Sequence, residues 1–305
     1  METRLDRDCM LGHGPTEEVL APVDDQLFGS GAAYAIARCR RCGLLHTVPR
    51  PDPATLEALA ARLWVLRAGV VGGGGGWADR LWRAVDGDAR FARLEGTGRL
   101  LAIGPDSAPA LARYRENGFD VTALVPDPEA ARRARALGVS VTGGPLDAFA
   151  PEEPFDVAAL IGALERSADP RALLAEARRL LAPGGALWVS LPNAASAVRT
   201  LFAGDWMEWE APSRVVHFDG PQLRRLLAEA GFEVFAFRAV TPAASVARSV
   251  IARLYSHPGR PTPRLGKPWL VAAWAGVLRL LLFPTFMMLN NAGRGEFLVV
   301  RARRA

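Results

Sequence analysis

The stretch FDVAALIGALERSADPRALLAEARRLLAPGGALWVSLPN, residues 155–193, is the part of the sequence that decides the fold. Its first apolar run, Phe155–Ile161, predicts a buried strand, and the apolar spacing in Pro170–Leu181 predicts an amphipathic helix. A Pro-Gly-Gly turn then leads into a second apolar strand, Ala186–Leu191. Two apolar strands separated by one helix predict a βαβ unit with parallel strands.

The same alternation continues on both sides of this stretch. Further strands are predicted at Arg99–Ile103, Asp120–Val125, Val139–Thr142, Phe232–Arg238 and Glu296–Arg301. Further helices are predicted at Ser107–Asn117, Pro128–Leu137, Ala194–Phe202 and Pro221–Ala230. Short apolar strands separated by helices predict an α/β fold with a Rossmann-like, mostly parallel sheet of seven strands, flanked by helices.

Composition limits the classes of function. A chain of 305 residues, half of them apolar, holds one large domain plus a small appendage. The formal net charge is +5, and Lys267 is the only lysine, so the cationic charge is carried by scattered arginines that indicate a solvated surface. A nucleic-acid partner is therefore not favoured. Three cysteines are too few for a disulfide framework, and no apolar run follows Met1–Asp8, which favours a cytoplasmic protein.

Three regions are predicted along the chain. Residues 1–50 form a small segment that contains all three cysteines, and residues 51–97 form a helical lead-in. That lead-in is interrupted by five consecutive glycines, Gly72–Gly76, which predict a loop before a second helix at Trp77–Leu94. Residues 98–305 form the α/β domain, with a helical insertion at 243–290.

The order strand, Leu164-Glu165, Asp169-Pro170, helix, Leu-x-Pro-Gly-Gly, strand and Pro192-Asn193 resembles the second half of class I S-adenosylmethionine (SAM)-dependent methyltransferases. The resemblance implies SAM as the cofactor and methyl transfer as the reaction. The acceptor would be a small molecule, a glycan or a lipid-linked compound.

The resemblance places the cofactor at the carboxyl ends of the first strands. The family's glycine-rich first loop corresponds here to AIGPDSA, residues 102–108, and its candidate contacts are Gly104, Asp106 and Ala108. The family's ribose-binding acid would fall at Val125, so Asp127 is the candidate substitute, and Leu146 lies where the adenine is expected. Because several family residues are replaced, a catalytically inactive methyltransferase-like partner or binding protein is the alternative.

The segment from Gly204 to Phe218 resembles the family loop that covers the acceptor. It supplies His217 as a candidate base and Trp206 as a wall of the pocket, with Glu165 as a positioning residue. The structural alternative is that His217 caps the following helix and that the tryptophans belong to the core.

The cysteines suggest a metal site. Cys39-Arg-Arg-Cys42-Gly43 resembles half of a zinc knuckle, and Cys9 and His13 would complete a four-ligand set, with His46 in reserve. Free thiols in a relic loop are the alternative.

One further segment, Trp269–Leu289, is apolar except for Arg279 and long enough to span a bilayer. Because Pro284 interrupts it, a pair of buried or interfacial helices is the competing interpretation, with contact to a membrane surface and a peripheral location.

Overall fold

The computed structural model describes residues 8–29, 32–68, 85–257, 260 and 262–305. These residues belong to two compact units, each assembled from separated stretches of chain. The sheet unit consists of Asp52–Leu191, Leu223–Phe237 and Val299–Ala305, and the cysteine unit consists of Met1–Pro51, Pro192–Gln222 and Arg238–Leu298. The predicted Gly72–Gly76 loop lies outside the described residues.

In the main sheet the regular elements follow the predicted alternation. The strands are β1 Thr16–Asp24, β2 Ala33–Cys39, β3 Leu45–Val48, β4 Gly98–Ile103, β5 Phe119–Leu124, β6 Ser140–Thr142, β7 Phe155–Ile161, β8 Leu181–Pro192, β9 Val216–His217, β10 Phe232–Val240 and β11 Phe297–Arg304. The α-helices with both ends among the described residues are α1 Pro53–Ala68, α2 Leu111–Glu116, α3 Pro128–Ala136, α4 Pro170–Leu180, α5 Ala197–Phe202, α6 Gly220–Glu229, α7 Ala243–Tyr255 and α8 Pro268–Asn291.

Seven strands form the main sheet in the order β10-β11-β8-β7-β4-β5-β6. The central pairs are parallel: β4 pairs with β5 and β7, β5 with β6, and β7 with β8. The predicted Rossmann-like α/β fold is therefore confirmed. Ile103 lies opposite Leu124, so the loops that follow β4 and β5 leave the same edge of the sheet side by side.

An aromatic cluster fills one side of this sheet. The indole of Trp188 on β8 stacks on Phe91 with ring centroids 5.2 Å apart, and it meets Tyr114 and Phe119 edge-on. All four side chains are buried. Contacts of this kind add about 0.5–1.5 kcal/mol per pair beyond the burial of apolar area, so they help to hold α2 on the sheet.

Two predicted helices differ from the structure. Ser107–Asn117 is not one α-helix, because a 3-10 turn at Pro105–Ala110 precedes α2; Pro109 inside that turn has no backbone N–H to donate. The predicted helix Trp77–Leu94 lies partly outside the described residues, and in the described part it ends at Asp86. Gly87 follows with φ of 86°, a conformation that stops a helix.

The cysteine unit contains a second, smaller sheet that the sequence did not predict. It has four strands in the order β1-β2-β3-β9, and each neighbouring pair is antiparallel. Buried residues from β1 to β3, from the segment 194–211 and from α7 and α8 form its core. Strand β9 comes from residues far along the chain from β1–β3, so this sheet closes only through a long-range pairing.

The apolar segment near the C-terminus is one continuous helix, α8, with Pro284 inside it. The predicted pair of helices is therefore wrong. The prediction that this segment is buried is also wrong, because only 17% of its most apolar stretch is buried. By length and composition α8 qualifies as a candidate membrane span.

Candidate functional site

Gly104 directly follows the first central strand, β4, and turns the chain sharply. Its φ is 97°, and a Cβ atom there would lie 2.4 Å from the carbonyl oxygen of Ile161 at the end of β7. The hydroxyl of Ser107 donates to the carbonyl of Gly104 at 2.6 Å, which fixes the turn. Only glycine fits this position, so the loop presents its backbone at the carboxyl edge of the sheet.

Asp106 is held in place by two arginines within the sheet unit. Its Oδ1 lies 2.9 Å from Nε of Arg67 on α1, and its Oδ2 lies 3.3 Å from Nη2 of Arg166. The carboxylate also presses on the backbone after β7, because a Cβ atom on Gly162 would lie 2.3 Å from Oδ2. Asp106, predicted as a cofactor contact, is therefore part of a largely buried three-residue ion cluster.

Strand β5 does not end in the ribose-binding acid that the family has at this point. Val125 follows β5 directly and is buried. Asp127 comes two residues later and caps α3, with Oδ1 accepting from the amide of Ala130 at 2.8 Å. One of its two carboxylate oxygens is thus used by the helix.

Two other predicted contacts lie along the same sheet unit. Ala108 is buried in the 3-10 turn after Gly104, and Leu146 is half-buried in a short 3-10 turn, Leu146–Ala148, after β6. Glu165 is buried in a third short turn, Leu164–Arg166, directly after β7. The predicted cofactor residues and Glu165 therefore all lie on loops that follow the carboxyl ends of parallel strands.

Trp206 and His217 belong to the cysteine unit. The Nε1–H of Trp206 donates to Oε1 of Glu296 at 2.9 Å, and its ring meets Trp209 edge-on at 4.9 Å. Both indoles are buried in the core of that unit. Trp206 thus contacts the buried acid Glu296, which the sequence had predicted only as the first residue of a strand.

His217 on β9 is fully enclosed. The single hydrogen of the Thr47 hydroxyl goes to the carbonyl oxygen of Arg214 at 2.7 Å, so the 2.9 Å contact between Thr47 Oγ1 and His217 Nε2 requires the imidazole to donate. Burial, together with the charge of Arg214, lowers the pKa of His217 well below its ordinary value. The ring is therefore neutral, with its proton on Nε2 and Nδ1 left as the basic atom.

A second buried histidine lies nearby on β3. Burial and the nearby Arg50 lower the pKa of His46 to about 3, so this ring is also neutral. Among the described residues neither of its nitrogens has a hydrogen-bond partner. It is not part of the metal-ligand group described below.

A buried acidic pair is the feature that sequence interpretation missed. The hydroxyl oxygen of Ser245 lies 2.5 Å from Oε1 of Glu208 and 3.3 Å from Oε1 of Glu296. Burial and the negative charge of Glu208 raise the pKa of Glu296 to about 8. Arg214 neutralises the other member, with Nη1 2.6 Å from Oε2 of Glu208. At neutral pH Glu296 therefore keeps its proton.

The three thiols form a compact cluster. Their sulfur atoms all lie within 4.8 Å of one another, and Sγ of Cys9 is 3.7 Å from Sγ of Cys42. A zinc ion bound about 2.3 Å from each of two thiolates holds them roughly 3.8 Å apart, so this spacing fits one ion. His13, predicted as the fourth ligand, is not in this group, and its Nδ1 is buried without a hydrogen-bond partner among the described residues.

Both cysteine loops turn through a left-handed glycine. Gly12 has φ of 72° and Gly43 has φ of 71°, and their amides donate to the carbonyls of Cys9 and Cys39. Burial raises the pKa of the Cys39 thiol, but amide hydrogen bonds from Cys42 and Arg41 outweigh it and lower the pKa overall. Burial raises the pKa of Cys42 to about 12.

A sequence model of a family described as methyltransferase domain matches residues 77–236, which is more than half of the chain. This chain belongs to the methyltransferase-domain family. Its predicted place among the class I SAM-dependent methyltransferases is thereby confirmed. No protein of curated function matches this methyltransferase-domain chain in sequence.

Solved structures resemble this methyltransferase-domain protein at low identity. The 4+2 cyclase SpnF is 22% identical, with a TM-score of 0.52 over 84% of this chain and 97% of that chain. The Burkholderia thailandensis 1,6-didemethyltoxoflavin N1-methyltransferase, solved with bound 1,6-didemethyltoxoflavin and S-adenosylhomocysteine, is 20% identical, with a TM-score of 0.48 over 89% of this chain and 96% of that chain.

A complex between the Haloferax volcanii Trm112 methyltransferase activator and a methyltransferase is also similar. Its identity is 20% and its TM-score 0.49, over 82% of this chain and 97% of that chain. At 22% identity the likeness to the cyclase extends to the fold alone, and the cyclase shows that this fold also carries other chemistry.

The family implies SAM, and the backbone of the first loop fits it. A Cβ atom on Gly104 would collide with the carbonyl oxygen of Ile161, so glycine is required where β4 and β7 end side by side, and it stands at the turn where the family has its glycine-rich cofactor loop. The side chains contribute less, because Asp106 is paired with arginines and Val125 replaces the usual acid.

Proposed function

We propose that the protein binds SAM at the carboxyl edge of its main sheet and transfers a methyl group to a small-molecule, glycan or lipid-linked acceptor. The conformation of Gly104 is the observation that carries this proposal, since nothing but glycine fits the turn. When bound, SAM supplies an electrophilic methyl group on a sulfonium. The chain itself has to hold the cofactor, align the acceptor and accept a proton where the acceptor loses one.

The cofactor would be held chiefly by backbone. Gly104 and Ala108 line the first loop, Asp127 offers its second carboxylate oxygen to the ribose, and Leu146 lies on the loop expected to border the adenine. Because Val125 stands where the family has an acid, the bidentate hydrogen bond from the ribose to a carboxylate is lost. This loss costs about 1.5–3 kcal/mol, or ten- to a hundredfold in affinity. We therefore expect weak SAM binding, in the micromolar range or above.

On the acceptor side, His217, Glu165 and Trp206 stay the proposed residues. Nδ1 of His217 is the atom that would take a proton, because Nε2 already donates to Thr47. The lowered pKa makes His217 a weak base, which suits an acceptor that is itself a good nucleophile better than an alcohol. Trp206 and Glu165 are buried and would position the acceptor rather than react with it.

A catalytically inactive methyltransferase-like protein is the second candidate. The pairing of Asp106 with Arg67 and Arg166, together with apolar Val125, favours it, because side chains of the cofactor loops are engaged within the chain. In that case the retained fold would serve to bind a partner protein.

The test is calorimetric titration with SAM and with S-adenosylhomocysteine, using the native chain, Val125→Asp and Val125→Asn. The Asp variant restores the acid, and the Asn variant matches its size without the charge. Micromolar binding that Asp strengthens about tenfold or more over Asn supports the proposed cofactor site. If neither the native chain nor folded Val125→Asp binds SAM at millimolar concentration, the inactive reading holds.

We also propose that Cys9, Cys39 and Cys42 bind zinc, with His13 as the predicted fourth ligand. The 3.7 Å spacing of two sulfurs and the amide-stabilised Cys39 support this proposal. Plasma emission spectrometry of the purified chain should give about one zinc per molecule. Cys39→Ser should lose the metal. Loss of zinc in His13→Ala would support the imidazole as the fourth ligand, and retention of zinc would show that another group occupies that position. Metal-free native protein that takes up no added zinc would contradict the proposal.

A further inference from the structure

Helix α8 carries most of the exposed apolar surface of the described residues. Of the thirteen exposed large apolar side chains, eight lie on this helix. Leu280 is 84% exposed, and Trp269 and Leu281 are each 67% exposed. Soluble monomers rarely leave large contiguous apolar patches in water, so this surface requires a covering.

The two faces of α8 differ in what they contact. One face packs into the core of the cysteine unit through Val271, Trp274, Ala275, Leu278 and Phe286. The opposite face is exposed along the whole helix and consists of Trp269, Ala273, Val277, Leu280, Pro284 and Met287. These six positions recur at helical spacing and include no polar side chain, so they form one apolar stripe.

Both ends of the helix are fastened to the same unit. Before α8, the amide and the hydroxyl of Thr262 donate to the backbone and side chain of Gln26. At the other end, Asn290 accepts from Thr241 at 2.7 Å. The 24-residue helix is about 36 Å long, as long as a bilayer core is thick. Because one face and both ends belong to a single folded unit, the helix cannot cross a bilayer; it can only lie along its surface.

The charge of the chain segment that contains the helix indicates which kind of surface it meets. From Val234 to Gly295, 62 residues, the chain has no Asp or Glu, yet it has eight cationic residues. Arg264 and Lys267 are exposed just before α8, and Arg294 is exposed just after it. Cations at both ends of an apolar stripe match an anionic headgroup layer above an acyl layer, and an indole such as Trp269 favours that boundary.

We propose that the outward stripe of α8 docks in-plane on an anionic phospholipid bilayer. The stripe enters the acyl region, and Arg264, Lys267 and Arg294 contact phosphate groups. This attachment does not depend on methyl transfer or on SAM, so the failure of either proposal leaves the other intact.

Flotation with vesicles tests this docking, using phosphatidylcholine alone and phosphatidylcholine with one quarter phosphatidylglycerol. The native chain should float with the anionic vesicles and bind them about tenfold or more tightly than the neutral ones. Leu280→Glu combined with Met287→Glu should abolish flotation, because it places carboxylates in the stripe. Leu201→Glu, also highly exposed but on α5 of the same unit, is the matched control and should float like the native chain. Unchanged thermal melting of each variant shows that it is folded.

Orientation is tested on bound vesicles with Arg264→Cys and Arg294→Cys in turn, each compared with the native chain, whose own three thiols set the background. Both should react with a membrane-impermeant maleimide added outside, since both ends lie on one side. Protection of only one end would overturn the in-plane arrangement. A native chain that ignores every vesicle, or the stripe double variant floating as well as the native chain, would overturn the docking. So would a native dimer in sedimentation that the double variant abolishes without any lipid binding, because the stripe would then cover a second copy.

Discussion

Glu208 and Glu296 share one hydroxyl, that of Ser245, which lies 2.5 Å from the first carboxylate and 3.3 Å from the second. Ser245 has a single hydrogen, so when that hydrogen goes to Glu208, the longer contact is a hydrogen bond of its own only where Glu296 supplies the proton. The raised pKa of Glu296 agrees with that arrangement. Trp206 and Ser196 donate to Glu296 as well, so the acid anchors two segments of the cysteine unit.

The retained proton makes stability depend on pH. The pKa of Glu296 is about 8 in the folded chain and near 4.5 when unfolded, so the folded state binds this proton more tightly. Stability from this group is complete below about pH 4.5 and is lost as pH rises towards 8, by at most about 1.4 kcal/mol per unit. Glu296→Gln, which keeps a donor for Ser245, should remove this slope in urea melts between pH 5 and 8. Exposed Glu233→Gln should keep it; an unchanged slope in Glu296→Gln would show that Glu296 is already charged.

Removing Arg214 should be costly. Its guanidinium is 2% exposed and lies 2.6 Å from Glu208 and 3.0 Å from Glu210, so Arg214→Met leaves two buried acids uncompensated. We expect a loss of about 3–5 kcal/mol in the free energy of unfolding. Arg253→Ala breaks a half-exposed pair with Asp205 and should cost under about 1 kcal/mol. Equal losses for the two variants in chemical denaturation would refute the buried-pair interpretation.

Substitutions at two glycines with positive φ, Gly104 and Gly144, distinguish the cost of a steric clash from the cost of backbone strain. Gly104→Ala places a Cβ atom 2.4 Å from Ile161, whereas Gly144→Ala, with φ of 83°, meets nothing within 4 Å. Strain alone costs about 1–2 kcal/mol. Gly104→Ala should therefore lower stability by clearly more than Gly144→Ala, and weaken SAM binding if the protein binds it. Similar melting temperatures for the two variants would mean that the loop after β4 is free to move.

Thr47 should contribute to stability through its hydrogen bonds to His217 and to the carbonyl of Arg214. Thr47→Val keeps the shape but leaves the imidazole N–H and the carbonyl of Arg214 without their hydroxyl partner. We expect a loss of about 1–3 kcal/mol for each buried group left unsatisfied. Thr122→Val, at a half-buried position on β5, is the control and should be close to neutral. A neutral Thr47→Val would mean that His217 is held by other contacts and that its tautomer is not fixed by Thr47.

The sequence predicted the main sheet well because its signals are local. Phe155–Ile161 was placed without error, and the other central strands differ by one or two residues at most of their ends, since apolar runs bounded by glycine mark them. The small sheet was missed because β1 is largely exposed and β9 has only two residues, so neither leaves an apolar pattern.

The candidate site was harder to predict for the same reason. Gly104 and Asp127 follow strands and could be assigned by position. The pairing of Asp106 with Arg67 joins residues from distant stretches, and the proton on Glu296 depends on Glu208, Ser245 and burial together. No local pattern in a sequence records such contacts. Likewise, composition identified α8 as apolar, but only the packed structure shows which face remains open.

The division of the chain into units has a consequence for synthesis on the ribosome. The first 51 residues emerge first, yet their unit also needs 192–222 and 238–298. Strands β4 to β8 are continuous in sequence and can pair as soon as they emerge. The unit that holds the three thiols can therefore complete its core only after nearly the whole polypeptide has been made. A fragment that ends at residue 191 and has been released from the ribosome should show a protease-resistant sheet and fully alkylatable cysteines.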